Sequence, residues 1–467
     1  MNKLKKYNNL GDIYETIGEE RFGYVAYILT ILMICAPLVA GVINMFMLRD
    51  SYSFITPYDA YNYNYKCMTL WNVIFSLMLM WIGVYILGKF KYNGKGMIGV
   101  LQAIRTGQRW LLWWLALLIW TVIPVACSVD PIGAIFGVAQ LASGYISHIY
   151  MLGVMGCVYL ISDERLKANV AWIFMIVTDV LSLVMLSFEY DIPFFRMFSA
   201  APGVSVYTNS NHYGYIITMA SLTIVSMYYI CIYDETVERC KEKKIFCIVS
   251  LMLQSFAIVV NDTLGSYLAI VLVIVIIPFV WLYRTKRFSI EILLPIFILA
   301  FFTYLSYKGY IYTKLGSSIG SSLVEFVRDL FMVSHKSEGF EHAGTDRIGL
   351  WIETIRKIKQ RPIVGYGPDI ICERNGNYIL WNTPHNEFLE CAFFLGIPGL
   401  IMYLGGLVHL CVIKIKQIKN LSFFALLTAG VIIGYLASSF FGVRKFNTVC
   451  YFFMFIGLLI SKTKKEE

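Results

Sequence analysis

The segment WNTPHNEFLECAFFLGIPGL at 381–400 holds the residues whose types and spacing best suit chemistry. Thr383 is a favourable helix cap and Pro384 a favourable first helical residue, which predicts His385 and Asn386 in the first turn of a long apolar helix. Unbonded backbone N–H groups and the positive helix end collect in that turn and disfavour a protonated imidazole. A neutral histidine there can act as a base or hydrogen-bond a hydroxyl group, or it can simply cap or solvate the helix.

Arg347 lies at the start of a second candidate segment, DRIGLWIETIRKIK at 346–359. The helical spacing of its apolar residues predicts an amphipathic helix, which either lies on a membrane surface or packs on other helices. The apolar stripe consists of Ile348, Trp351, Ile352, Ile355 and Ile358. The next segment, RPIVGYGPD at 361–369, predicts a tight turn and lacks the spacing of a nucleotide-binding loop. Further on, GIPG at 396–399 predicts a break or kink in the long apolar helix.

Other charged residues are weaker candidates. Arg196 and the Arg444-Lys445 pair can each bind a phosphate group, or they can remain solvated loop charges. Glu387 and Glu390 beside His385 form only a weak metal-binding pattern. We therefore predict no metal site.

Composition identifies the elements that must position these residues. Hydrophobic residues make up 58% of the 467 residues and charged residues only 15%, and the mean hydropathy is +0.65. A soluble globular chain carries about 25% charged residues, so the soluble, disordered, collagenous and disulfide-scaffold classes are excluded. The sequence predicts a polytopic membrane protein.

Twelve apolar runs are long enough to cross a bilayer as helices. They lie near 22–48, 67–88, 110–129, 145–162, 168–189, 212–233, 245–261, 265–283, 289–307, 385–413, 421–441 and 446–461. Lysine and arginine are concentrated in alternate loops and at both termini. By the positive-inside rule, both termini are cytoplasmic and the protein is a multi-pass protein of the cytoplasmic membrane.

The predicted fold is all-α, a polytopic membrane helix bundle of about 12 transmembrane helices. Residues 1–307 are predicted to form helices 1–9, and residues 384–467 to form helices 10–12. Residues 308–383 are predicted to form one large extracytoplasmic loop between helices 9 and 10, and this loop contains the amphipathic helix.

Three segments, in this order, resemble the O-antigen ligase/polymerase (Wzy_C-type) integral membrane family. They are TNSNHYG at 208–214, RIGLWIETIRKIKQRPIVGYGPD at 347–369 and PHNEFLECAFFLGIPGL at 384–400. The motif resemblance covers roughly 200–415, and the rest of the chain is similar in topology only.

The resemblance implies a metal-independent membrane glycosyltransferase that uses an undecaprenyl-pyrophosphate-linked glycan as donor and needs no cofactor. Carried over, His385 is the catalytic base and Arg347 a pyrophosphate ligand. Ligases of the family show a Ser-Arg pair where this chain has Ser266-Tyr267, so the second arginine is missing there. Replacements considered for it are Arg196, Arg444 and Lys445, and Asn211 and Asn386 are further substrate-binding candidates.

The function expected from this resemblance is that of a polymerase. It would join lipid-linked repeat units into a surface polysaccharide (capsule, exopolysaccharide or O-antigen) at the outer face of the membrane. Two alternatives remain open: a ligase that transfers a finished glycan to a lipid or other acceptor, and a flippase or transporter of lipid-linked glycans. The expected partners are the lipid-linked donor, the glycan acceptor, membrane lipids and a chain-length regulator, with no nucleic acid.

Overall fold

A computed structural model gives the fold. It describes residues 9–47, 57–94, 98, 99, 102, 104, 108–137, 143–190, 192, 209–233, 239–312, 317–335, 339–371, 379, 380 and 383–461. For residues 41–47, 57–68, 188 and 340 it describes the backbone alone. All regular structure within these ranges is helical, which confirms the predicted all-α class.

Sixteen α-helices follow one another in the described ranges. They are α1 (Leu10–Ile17), α2 (Glu19–Met47), α3 (Pro57–Tyr92), α4 (Leu111–Ala126), α5 (Pro131–Phe136), α6 (Tyr145–Tyr159), α7 (Glu164–Glu189), α8 (Ser210–Tyr233), α9 (Cys240–Asn261), α10 (Leu264–Thr285), α11 (Leu294–Tyr307), α12 (Ile319–His335), α13 (Arg347–Gln360), α14 (Glu387–Lys416), α15 (Phe423–Ser438) and α16 (Phe446–Ile460). Short 3₁₀ turns occupy Ile290–Leu293, Phe340–His342 and Ser439–Phe441.

Nine helices of the described part are long and apolar enough to cross a membrane. They are α2, α3, α7, α8, α9, α10, α11 with the turn before it, α14, and α15 with the turn after it. The three other predicted spans coincide with the shorter apolar helices α4, α6 and α16. The chain is thus a multi-pass membrane protein, while the predicted count of about 12 is not confirmed.

Helix α8 lies at the centre of the bundle. Almost every residue from His212 to Cys231 is buried, and α8 packs against α7, α9, α10, α15 and α16. A helix that is apolar all round is suited to such an interior position. The first turn of α8 is therefore surrounded by the ends of several other helices.

Helix α14 is broken, as its GIPG sequence predicts. Gly396 adopts φ 73° and ψ 174° in the middle of the helix. The segment after α13 fills this break: the N–H groups of Tyr366 and Gly367 donate to the carbonyls of Phe393 and Phe394, each at 3.0 Å. Phe393 and Phe394 are buried, so the loop supplies their carbonyls with the hydrogen bonds that the broken helix cannot.

A third backbone bond closes the break. The Ile397 N–H donates to the Pro362 carbonyl at 2.8 Å. A Cβ atom on Gly396 would collide with the Ile363 carbonyl, and Gly365, at φ 65°, lies against the Phe394 carbonyl. Two motifs that are separate in sequence, RPIVGYGPD and GIPG, thus form one structural unit.

Helix α13 packs on α14, which decides between the two positions left open for it. Its buried line consists of Leu350, Thr354 and Ile358. Ile355, which the predicted stripe includes, is 42% exposed. The stripe is therefore only partly right, since the face that meets α14 is rotated away from Ile355.

Candidate active site

The turn before α14 differs from its prediction. Asn386, and not Thr383, is the helix cap: its Oδ1 accepts hydrogen bonds from the N–H groups of Phe388 at 3.1 Å and Leu389 at 3.0 Å. The helix accordingly begins at Glu387, and the expectation that Pro384 opens it is wrong. Asparagine caps well because its short side chain reaches the exposed N–H groups from an extended backbone.

His385 consequently lies outside the helix. Its φ of 47° is in the left-handed region, where a residue with a side chain is strained. Its Nδ1 atom is buried and has no hydrogen-bond partner among the described residues. Burial, and secondarily the positive charge of Arg347, lowers the pKa of His385 to about 4. The imidazole is thus neutral near pH 7 and able to accept a proton.

Arg347 reaches His385 because two segments are tied together. The Trp351 Nε1–H group donates to the Pro384 carbonyl at 2.7 Å, which fixes the start of α13 beside the turn before α14. Burial lowers the pKa of Arg347 from its ordinary value, but arginine stays charged in proteins. The structure therefore places a permanent positive charge next to a neutral imidazole.

Helix α8 adds a second imidazole to this region. His212 is buried in the first turn of α8 and interacts electrostatically with Lys445 and His385. One turn further, the Tyr215 ring stacks on Tyr435 with centroids 5.0 Å apart. We call Arg347, His385, His212 and Lys445 the imidazole cluster.

Arg444 and Lys445 point into different surroundings. The Arg444 Nη1 atom lies 3.3 Å from His148 Nε2, and His148 Nδ1 lies 3.1 Å from the Gly144 carbonyl. A proton on Nδ1 satisfies both contacts, since Nε2 then accepts from Arg444. Lys445 instead belongs to the imidazole cluster, so the basic pair does not act as one unit.

Three buried carboxyl groups surround Arg444. Glu387 accepts hydrogen bonds from the Tyr403 hydroxyl at 2.9 Å and the Tyr435 hydroxyl at 3.0 Å. We call Asp369, Glu387, Glu390, Arg444 and His148 the carboxylate cluster.

Two further bonds connect this cluster to the helix ends around it. The Ser143 N–H donates to Asp369 Oδ2 at 3.0 Å, and the Ser143 hydroxyl donates to the Arg444 carbonyl at 3.1 Å. Within the described ranges, no group of three histidine, cysteine or carboxylate side chains is placed to hold a metal ion.

The structure places the remaining candidates as follows. Asn386 caps α14 with its Oδ1 atom. Asn211 is the second residue of α8, and its N–H bonds to the Asn209 side chain at 2.8 Å. Arg196 lies outside the described residues. Ser266 faces Gly214 of α8, where a Cβ atom would collide with the serine hydroxyl, so a helix contact fills that position.

Sequence reasoning assigned no site role to His212, Tyr215 or Asp369. His212 was visible in TNSNHYG as a histidine at the start of a span, the same feature that singled out His385. Asp369 was visible as the acidic end of RPIVGYGPD, followed by Glu387 and Glu390 at helical spacing. Only the fold shows that these residues meet.

Comparison with known families bears directly on this region. Residues 249–404 match the family model for O-antigen ligase (Wzy_C). We call these residues, which are similar to that family model, the O-antigen ligase segment. No curated protein matches the chain.

The O-antigen ligase segment covers about a third of the chain and confirms the family resemblance; it includes the two later motifs, and TNSNHYG at 208–214 lies outside it. It contains Arg347, Asp369, His385 and Glu387, while His212, Arg444 and Lys445 lie outside it. It indicates a membrane glycan transferase of the O-antigen ligase/polymerase type, with lipid-linked glycans as substrates. Both clusters are thus assembled from the O-antigen ligase segment together with helix ends on either side of it.

Proposed function

We propose that the protein is a polymerase that joins undecaprenyl-pyrophosphate-linked oligosaccharide repeat units into a surface polysaccharide. The observation that supports it best is the neutral, partly buried imidazole of His385, on which the permanent charge of Arg347 acts, within the O-antigen ligase segment. Transfer from a lipid diphosphate needs a proton acceptor for the attacking hydroxyl and positive charge for the leaving group. This pair offers both.

In the proposed reaction, a hydroxyl oxygen of the acceptor glycan attacks the anomeric carbon of the donor sugar. The bond from that carbon to the diphosphate oxygen breaks, and the hydroxyl proton passes to a ring nitrogen of His385. The lipid diphosphate leaves with the electron pair of the broken bond. Its bound negative charge also favours the protonated imidazole, so substrate binding brings the low pKa of His385 closer to the range of an effective base.

Lys445 is the proposed second diphosphate ligand, in place of the arginine missing beside Ser266. It is buried and interacts with His212, on the same side as His385. Arg444 is committed to His148 and the carboxylate cluster. A lysine lacks the fork geometry of a guanidinium and acts as a compact point charge, so this half of the site is expected to bind with less angular specificity.

The proposed site faces the extracytoplasmic side of the cytoplasmic membrane, with both termini in the cytoplasm. The support is the concentration of Lys and Arg in the alternate loops. The test of this orientation uses intact cells that produce a variant whose native cysteines do not react. A membrane-impermeant maleimide then labels only an introduced cysteine that faces the outside of the cell. The cysteine of His342→Cys should react with the maleimide and that of Lys419→Cys should not. The reverse result would show the opposite orientation of the chain.

A ligase is the second candidate function, because the matching family model is that of O-antigen ligase. The bond that breaks is the same, and only the acceptor differs. Purified protein in lipid nanodiscs, supplied with a lipid-linked repeat unit alone, separates the two. A polymerase makes a ladder of products spaced by one repeat, whereas a ligase leaves the donor intact until a separate acceptor is added.

A further inference from the structure

Several buried polar atoms in and near the imidazole cluster have no hydrogen-bond partner among the described residues. Within the ranges that the structure describes, buried and unbonded atoms include Nδ1 of His212, Nδ1 of His385, the hydroxyl of Tyr215, Oδ1 of Asn261 and Oδ1 of Asn447. The Asn261 side chain bonds to Ser210 at the start of α8, and His385 acts electrostatically on His212 there. A buried polar atom left unbonded lowers stability, so these atoms need an explanation.

His212 is the most firmly positioned of these groups. The Ser210 carbonyl, two residues earlier, accepts hydrogen bonds from the Asn261 side chain at 3.0 Å and the Thr263 hydroxyl at 3.2 Å. Gly214, two residues later, lies against Ser266 so closely that no side chain fits. The first turn of α8 therefore cannot shift easily, and His212 is held with 6% of its surface exposed.

The charges around His212 favour an anion. Among the described residues, the groups that act on it electrostatically are Lys445 and His385, and Arg347 acts in turn on His385. No carboxylate is among them. An imidazole carries at least one N–H donor in either protonation state, so His212 can donate to an oxygen of a bound anion.

We propose that His212 is a further substrate-binding residue, whose imidazole donates a hydrogen bond to a phosphate oxygen of the lipid diphosphate beside Lys445. This inference rests on the proposed function and gives the two imidazoles different roles. His212 holds the leaving group, and His385 takes the proton of the acceptor hydroxyl. Loss of His212 should therefore weaken donor binding, and loss of His385 should stop turnover.

Polyprenyl diphosphate without a sugar is the probe that tests this division, because it presents the phosphates and no glycan. Binding is measured to the full-length protein in nanodiscs, with polyprenol, which lacks phosphate, as the second probe. His212→Ala should bind polyprenyl diphosphate about tenfold or more weakly and polyprenol unchanged. His212→Gln keeps an N–H donor and should recover part of the loss.

The kinetic signature is equally specific. His212→Ala should raise KM for the lipid-linked donor more than it lowers kcat, and His385→Ala should keep polyprenyl diphosphate affinity within about threefold of the wild type while it lowers kcat. The exposed His335→Ala is the matched control and should match the wild type in both assays. Thermal unfolding of each variant detects a structural loss.

Two results would overturn the inference. One is wild-type affinity of His212→Ala for polyprenyl diphosphate, and the other is an equal loss of polyprenol and polyprenyl diphosphate binding. In either case, an inactive His385→Ala would leave the proposed function standing. Polymer synthesis by His385→Ala would instead refute the proposed function, whatever His212 does.

Discussion

The imidazole cluster and the carboxylate cluster are neighbours that differ in how their polar groups are used. In the carboxylate cluster, both oxygens of Glu387 accept tyrosine hydroxyls and Arg444 contacts His148, while Oε2 of Glu390 and Nε of Arg444 are buried without a hydrogen-bond partner among the described residues. In the imidazole cluster, the Nδ1 atoms of His385 and His212 have no partner within the described part of the chain. Paired groups stabilise a fold, whereas unpaired groups held in place are typical of a site that binds something else.

Sequence neighbours are divided between the two clusters. His385 and Glu387 are separated only by Asn386, yet the turn at the helix cap sends them to different clusters. Lys445 and Arg444 are adjacent and also separate. Each of these two segments thus supplies one residue to the imidazole cluster and one to the carboxylate cluster. Substitutions one or two positions apart are therefore expected to have different consequences.

The largest effect is expected from His385→Ala. Removal of the proton acceptor should lower polymer formation by about 10²- to 10⁴-fold, while the protein still inserts and folds. The measurement is product laddering from a lipid-linked repeat unit in nanodiscs. His342→Ala, an exposed histidine of the 308–383 segment, should retain full activity, and wild-type ladders from His385→Ala would remove that residue from the site.

Glu387→Ala should act mainly on stability. It leaves the Tyr403 and Tyr435 hydroxyls without their acceptor and removes one of the three carboxyl groups around Arg444, which should lower the free energy of unfolding by about 2–4 kcal/mol. Glu387→Gln keeps an acceptor oxygen and should lose less. Thermal unfolding measures this, and the surviving folded fraction should still bind polyprenyl diphosphate. Lost activity at unchanged stability would instead place Glu387 in the chemistry.

Substitution of either cation should weaken donor binding without a comparable loss of stability. Arg347→Ala and Lys445→Met each remove a charge from the imidazole cluster, and we expect about a ten- to hundredfold loss of polyprenyl diphosphate affinity. Arg356→Ala on the exposed face of α13 and Lys359→Met are the matched controls. Equal losses in the variants and their controls would indicate general surface charge rather than a diphosphate site.

The smallest effect concerns pH. Because burial and Arg347 lower the pKa of His385 to about 4, the imidazole of the unliganded protein stays deprotonated down to that value. As far as the protonation of His385 determines it, kcat/KM should stay level from pH 7 down to about pH 5 and fall only as the pH drops through about 4. Arg347→Gln, assayed on its residual activity, should shift that fall to higher pH. A fall centred near 6.5 in the wild type would contradict a buried imidazole.

Sequence alone was enough for the class of the molecule and for several of its local elements. Long apolar runs predicted the spanning helices because the bilayer demands them locally. The start of α13 at Arg347 and the break at GIPG were predicted from local patterns too. A neutral His385 was expected for the wrong reason, since burial and Arg347 produce it and not a position inside the first helical turn.

What could not be predicted depends on contacts between distant segments. Nothing in the sequence shows that Trp351 bonds to Pro384, or that Lys445 meets His212. Arg444 contacts His148 of α6, whereas Lys445 acts electrostatically on His212 of α8. Such arrangements are set by tertiary packing, which local spacing does not encode.

The sealed break in α14 limits how this protein can be engineered. By sequence, residues 361–367 resemble a surface connection that would tolerate a shortened or grafted loop. In the structure they form three backbone bonds with α14 around Gly396, so a deletion there would leave buried amide and carbonyl groups of α14 without partners. Chimeras between this chain and others are therefore best joined outside 361–400, so that the loop and the helix are exchanged together.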